Sequence, residues 1–321
     1  MKTIVKTAIA AAGAAAVGTL SAYVTTKVLV DAALDRNIPQ IMFRSENRVS
    51  GSKSSDAYRQ ARKAAGERLL ARESETVELT ARDGERLIGH LIGESRAKRL
   101  IIAVHGWRSS WVRDFGVISD FWLDDGCAVL FVEQRGQGES GGEHMGFGLL
   151  ERYDCADWAV WASERFSGEK ELPTYLAGVS MGAASVLMAS CLELPHCVRG
   201  IIADCGFTSP DAIWRHVVKH NLHLSYKLRR AIADSICRRK LGVSPSSFTT
   251  TEALKHARLP VLFIHGSDDS FVPVEMTFEN YKACVSEKRL LIVPGAGHAM
   301  SFYVEPESYK RAVRDFWRDF C

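Results

Sequence analysis

From Glu75 onward, short apolar runs alternate with longer stretches of mixed polarity. The runs are Leu100–Val104, Ala128–Val132, Thr174–Ala177, Gly200–Ala203, Val261–Ile264 and Leu290–Val293. Runs this short, with hardly a polar residue inside, fit strands buried on both faces, as in a parallel sheet. The intervening stretches are long enough for helices, so the pattern predicts an α/β fold: a mainly parallel sheet with helices on both faces. Just ahead of it, Val77–Ala81 and Leu87–Ile92 flank Asp83-Gly84, a hairpin signal that sets the start of the domain near residue 75.

The pattern before residue 75 is different. No charge interrupts Thr7 to Thr26, an alanine-rich stretch with Ile9, Val17, Leu20, Tyr23 and Val24. About 20 residues cross a bilayer, and alanine adds little to insertion. Residues 1–30 are therefore expected to be an uncleaved signal anchor tethering the chain to a membrane. A cleaved export signal and a peripheral helix on a cytoplasmic protein are the alternatives. Residues 31–74 read as a polar linker plus a charged helix, Asp56 to Arg72, whose Tyr58, Ala61, Ala65 and Leu69 recur at helical spacing.

Composition narrows the function. Of 321 residues, 46% are hydrophobic and 25% charged, and the net charge is only +3. No stretch interleaves basic and aromatic residues as a strand-binding groove would, so nucleic acid is not an expected partner. The eight cysteines contain no C-x-x-C and no Cys/His cluster with zinc spacing. A metal site is not expected, and Cys127, Cys191 and Cys205, beside apolar runs, are expected to be buried thiols.

Candidate chemistry gathers just after the strands, where open parallel sheets bind ligands. Gly178-Val179-Ser180-Met181-Gly182 spells G-x-S-x-G between the strand Thr174–Ala177 and a small-residue helical run. Glycines at both flanks allow the sharp turn that lifts a serine hydroxyl above a sheet. A serine becomes a nucleophile only when an imidazole takes its proton and a carboxylate orients that imidazole. His265-Gly266-Ser267-Asp268-Asp269 and Gly295-Ala296-Gly297-His298 follow the last two strands, so Ser180, Asp269 and His298 form an ordered triad, with Asp268 as a second candidate acid.

With these segments on the page, the chain resembles the α/β hydrolases, in particular the serine aminopeptidase-like and extended bacterial esterase-like group. The resemblance covers residues 75–321. It rests on Val104-His105-Gly106-Trp107, Glu133 to Ser140, Gly178 to Gly182, Ile202 to Thr208, His265 to Pro273 and Gly295 to His298. It implies an α/β-hydrolase fold, Ser180 as nucleophile, His298 as general base and Asp269 as the acid. It also implies backbone N–H groups of Trp107 and Met181 as the oxyanion site, His105 as a scaffold residue, and a helical cap at about 209–258. Asp204 is expected to serve a turn rather than the chemistry, with Cys205 beside it structural.

Two further features are weighed. Gly136-Gln137-Gly138-Glu139-Ser140-Gly141 reads G-x-G-x-x-G after a strand, but more glycines follow where a phosphate-binding helix should open, so no dinucleotide is expected. Residues 209–258 carry ten Lys or Arg against Asp211, Asp234 and Glu252, a local +7 that leaves the rest of the chain at −4. Apolar residues interleave with those charges, which suits a cap that meets anionic lipid, while a solvated helical face is the plainer alternative.

The function expected is a serine hydrolase acting through an acyl-enzyme on a carboxylic ester with a small or amphiphilic acyl group. A serine peptidase of aminopeptidase type and a non-catalytic, membrane-tethered binding protein are the alternatives. Partners are then a small-molecule ester or peptide substrate and, through the N-terminal segment and the basic cap, a membrane. No cofactor is implied.

Overall fold

In the computed structural model, which describes residues 20–37, 56–93, 97–167 and 171–320, the first described elements are helical residues 20–34 (α1) and Asp56–Leu70 (α2). The hairpin Glu75–Thr80 (β1) and Arg86–Ile92 (β2) follows. Strand and helix then alternate: Arg99–Val104 (β3), Trp111–Asp124 (α3), Cys127–Glu133 (β4), Glu151–Arg165 (α4), Thr174–Val179 (β5), Met181–Ala189 (α5) and Val198–Asp204 (β6). Pro210–His216 (α6), Arg230–Leu241 (α7) and Thr250–Leu254 (α8) form a helical excursion. Val261–Gly266 (β7), Val274–Ala283 (α9), Lys288–Val293 (β8), Ser301–Val304 (α10) and Pro306–Asp319 (α11) complete the chain. Each strand expected from an apolar run is present, longer than the run by up to two residues at either end.

The eight strands make one sheet in the order β1-β2-β4-β3-β5-β6-β7-β8. β1 and β2 pair antiparallel, as do β2 and β4, and the remaining neighbours are parallel. Alternate residues feed two cores. Leu100, Ile102 and Val104 of β3 join Trp158 and Leu187 on one face, and Ile101 and Ala103 join Phe115, Trp122 and Phe316 on the other. All seven residues of β4 are buried, as burial of both faces requires. A third cluster covers one end of the sheet, where Met181 and Phe207 meet Ile213 and Ile236 of the excursion and Val30 and Leu34 of α1.

α1 crosses the boundary expected between residues 30 and 31 and is docked. Leu34 is fully buried, the Met145 amide donates to its carbonyl at 2.7 Å, and Arg36 donates to the Glu143 carbonyl at 2.9 Å. Lys240 of the basic excursion reaches Asp31 at 3.0 Å and also pairs with Asp35, so part of the local positive charge is met within the chain. Of the expected anchor, residues 1–19 lie outside the described residues. Among those described, no helix is long and apolar enough to cross a membrane. α2 packs on α3 at a glycine crossing, where a Cβ on Gly116 would come within 2.8 Å of the Gly66 nitrogen.

Several amides of the glycine-rich loop after β4 already have partners. Gly136 donates to the Gly141 carbonyl at 2.7 Å, Gly141 to Arg86 at 2.6 Å, and Gln137 to Gln134 at 3.1 Å. The Glu139 amide is held by the Glu133 carboxylate. These four amides are thus committed to protein acceptors rather than open to a phosphate. Of the seven described cysteines, none is bonded to another and six are buried, Cys191 being half-buried.

Candidate active site

The nucleophile turn is built by close backbone contact. A Cβ on Gly178 would strike the Gly182 carbonyl, and one on Gly182 would strike the Val104 and His105 carbonyls, so both glycines of G-x-S-x-G are sterically required. Between them Ser180 takes φ 56° and ψ −115° at the N-terminal end of α5. A serine in this position ordinarily caps the helix with its hydroxyl. Here the hydroxyl makes no cap. Instead Ser180 Oγ lies 2.9 Å from His298 Nε2.

His298 follows β8 and meets Asp269 on its other side, Nδ1 to Oδ2 at 2.6 Å. The second carboxylate oxygen of Asp269 accepts the Phe271 and Val272 amides at 2.9 Å each, and His265 Nε2 lies 3.2 Å from Oδ2. Burial alone would raise the pKa of Asp269, but His298 and His265 hold it far below the usual carboxylate range. For His298, burial opposes the charge and the Asp269 carboxylate outweighs it, raising its pKa well above the ordinary value. Phe271 closes one side, its ring edge-on to the imidazole at 5.0 Å between centroids.

Each other residue singled out in the sequence has a definite place. Asp268 is exposed; it accepts the Ser267 hydroxyl at 2.6 Å and has no bond to His298 among the described residues. His105 is buried, with Nδ1 2.8 Å from the Gly106 carbonyl and Nε2 accepting the Gln134 amide at 3.2 Å, and burial lowers its pKa. It braces the turn after β3. Asp204 accepts the Ser301 hydroxyl at 3.1 Å, its backbone carbonyl accepts the Ser180 amide at 2.9 Å, and burial pushes its pKa up to about 6.

The turn after β3 lies against the serine: a Cβ on Gly106 would sit 3.3 Å from Ser180 Cβ. Among the described residues, the backbone N–H groups of Trp107 and Met181 donate to no partner. Met181 stands at the positive end of α5. Preorganised donors of this kind contribute roughly 3 to 4 kcal/mol each to a developing oxyanion.

Three supports of this turn escape the sequence reading. Asp114, in the first turn of α3, accepts the Gly106 amide at 2.7 Å and the Ser109 hydroxyl at 2.5 Å. Arg108, with φ 47°, extends its guanidinium to the carbonyls that end α1, including Ala32 at 2.8 Å and Asp35. The Trp107 indole donates to the Ala33 carbonyl at 2.8 Å. A helix C-terminus leaves carbonyls unpaired, so α1 supplies acceptors where the turn supplies donors. Four of the six non-glycine residues with positive φ, Arg108, Ser180, Cys205 and Ala299, stand at or beside these site turns. Strain concentrated in this way marks functional sites.

Among the described residues one group has metal-ligand spacing: the ligand atoms of Cys205, Asp269 and His298 lie within 4.8 Å of one another. Asp269 Oδ2 and His298 Nδ1 are already hydrogen-bonded at 2.6 Å, and burial pushes the Cys205 thiol up to about 11. That donor set favours the hydrogen-bonded arrangement over a cation.

Known proteins bear out the resemblance. Residues 95–244 match the family described as serine aminopeptidase, S33. The uncharacterized protein YqkD of Bacillus subtilis is 27% identical over 240 residues, covering 73% of this chain and 75% of its own. YfhR of Escherichia coli K12 is 28% identical over 238 residues, covering 71% and 75%. Among solved structures, an esterase of Pyrococcus furiosus superposes with a TM-score of 0.64 at 23% identity, over 79% of this chain and 93% of the esterase.

Proposed function

We propose that this chain, which has the α/β-hydrolase fold and matches the serine aminopeptidase, S33 family over residues 95–244, is a serine hydrolase cleaving carboxylic esters through an acyl-enzyme on Ser180. The observation that carries the reading is one imidazole bridging two partners, Ser180 Oγ at 2.9 Å and Asp269 Oδ2 at 2.6 Å. His298 Nε2 takes the serine proton as Oγ attacks the ester carbonyl. Asp269 stabilises the imidazolium that results. The Trp107 and Met181 amides hold the oxyanion, and His298 then hands its proton to the departing alcohol. A water activated by the same imidazole releases the acid and restores Ser180.

Ester is favoured over peptide N-terminus by what surrounds the site. An α-ammonium group needs a carboxylate, and the apolar cavity next to the site has none in its lining. Asp211, the nearby buried acid of α6, is already bonded to Arg215, Arg230 and the Tyr226 hydroxyl. A panel of 4-nitrophenyl esters and aminoacyl 4-nitroanilides tests the choice. Turnover of esters, with the anilides at least about 100-fold slower in kcat/KM, is expected, since an unpaired ammonium in such surroundings is costly. Preferential cleavage of the anilides would establish the peptidase reading, and turnover of neither would leave the non-catalytic one.

A further inference from the structure

A cavity of about 120 Å³ lies between α1 and the segment around α6 and α7. It borders the candidate active site at two residues: Trp107, next to Gly106 of the turn against Ser180, and Phe271, whose ring packs on His298, both line it. From α1 come Leu29, Val30 and Ala33; Val217 and Leu222 stand among the residues of the other wall. A pocket whose lining is almost wholly apolar selects an apolar ligand.

We propose that this cavity is the acyl-chain site, that it takes an unbranched chain of hexanoyl length, and that α1 sets that length. The inference rests on the ester-hydrolase reading above. The length follows from volume: an apolar cavity of about 150 Å³ holds a six-carbon ring, so one of about 120 Å³ holds about five carbons beyond the carbonyl attacked by Ser180. The wall contributed by α1 is fixed, because Lys240 grips Asp31 and Asp35 while Arg108 and Trp107 bind the carbonyls at the end of the helix. An N-terminal segment that leads into the fold thereby becomes part of the substrate site. The same helix exposes Leu20, Val24 and Val28 on its outer side, so its inward apolar residues are a second stripe that the cavity accounts for.

The test is the chain-length profile of the full-length protein on 4-nitrophenyl acetate, butyrate, hexanoate, octanoate and decanoate. Each methylene taken into an apolar site is worth up to roughly fourfold, so kcat/KM is expected to rise at least about tenfold from acetate to hexanoate and to fall beyond octanoate. Leu29→Trp, which fills the cavity from α1, is expected to cut the hexanoate-to-acetate ratio by at least about tenfold. Val217→Phe does the same from the opposite wall should the first variant fold poorly. A profile that is flat, or a ratio that survives both substitutions, overturns the proposal. Titration of the wild-type tryptophan fluorescence with hexanoate separates the two layers, since Trp107 and Trp214 line the cavity. Saturable binding without turnover of any ester sinks the hydrolase reading and keeps the cavity as an acyl site. Turnover without saturable binding or chain-length preference sinks the cavity assignment alone.

Discussion

Asp269→Asn is expected to lower turnover by about four orders of magnitude, whereas Asp268→Asn changes it little. The two neighbours differ in everything but identity. Asp269 is buried, its Oδ2 touches His298 Nδ1 at 2.6 Å and its Oδ1 is pinned by the Phe271 and Val272 amides. Asp268 is exposed and bonded to the Ser267 hydroxyl. An asparagine at 269 keeps the shape but removes the charge that stabilises the imidazolium, and it can hold the wrong tautomer of His298. The pH profile carries a second signature. Base catalysis needs neutral His298, whose pKa the carboxylate raises, so the acid limb of kcat/KM in the native protein lies above the pH expected of a free imidazole. Removing the carboxylate lowers that pKa, and the limb of Asp269→Asn moves to lower pH as its plateau drops. Steady-state kinetics across pH on both variants check this. Loss in Asp268→Asn alone would assign the acid to Asp268.

Arg135→Met is expected to destabilise the fold by roughly 3 to 5 kcal/mol, measured by denaturant unfolding. Arg135 is 5% exposed in its side chain and Asp154 is 8%. The guanidinium clasps Asp154 through two nitrogens, with Nε to Oδ2 at 2.7 Å, and reaches the more exposed Asp83 at 2.7 Å. The substitution keeps an unbranched apolar stem but removes the guanidinium, leaving Asp154 buried without its partner. Burial already pushes the Asp154 pKa up to about 7 with Arg135 beside it, and loss of the guanidinium raises it further. The penalty is therefore full above the variant's pKa and shrinks as pH falls through it toward the native folded value. The double change Arg135→Met with Asp154→Leu recovers most of the loss. A single variant as stable as the native protein would show that the pair contributes nothing.

How legible all this was depends on how local the information is. Strands β3 to β8 could be read because a strand buried on both faces must be apolar at consecutive positions, which short runs display. Ser180, Asp269 and His298 could be read because each follows a strand at the same end of a parallel sheet, in a fixed order. What escaped depends on contacts between distant segments. α1 looked like the tail of an anchor and the start of a linker, since nothing in an alanine-rich run shows that the carbonyls of Ala32 and Ala33 will cap Arg108 and Trp107. Asp114 lies in the first turn of a helix, a place that favours carboxylates anyway, so nothing in the sequence sets it apart. Arg108 gave no sign of its left-handed backbone, which its own hydrogen bonds to α1 support. The apolar cavity was invisible because its walls come from residues around 30, 107, 147, 217 and 271. In the basic excursion several cations, Arg215, Arg230, Arg238 and Lys240, meet carboxylates within the chain, pairings that a count of charges does not show.

The central claim is that Ser180 is a nucleophile activated by His298. Reaction of the purified full-length protein with a fluorophosphonate, followed by mass spectrometry of its peptides, tests it most directly. The account predicts one adduct, on Ser180, that disappears in Ser180→Ala and forms far more slowly in His298→Ala. No adduct on the folded native protein, or labelling that persists in Ser180→Ala, would contradict it.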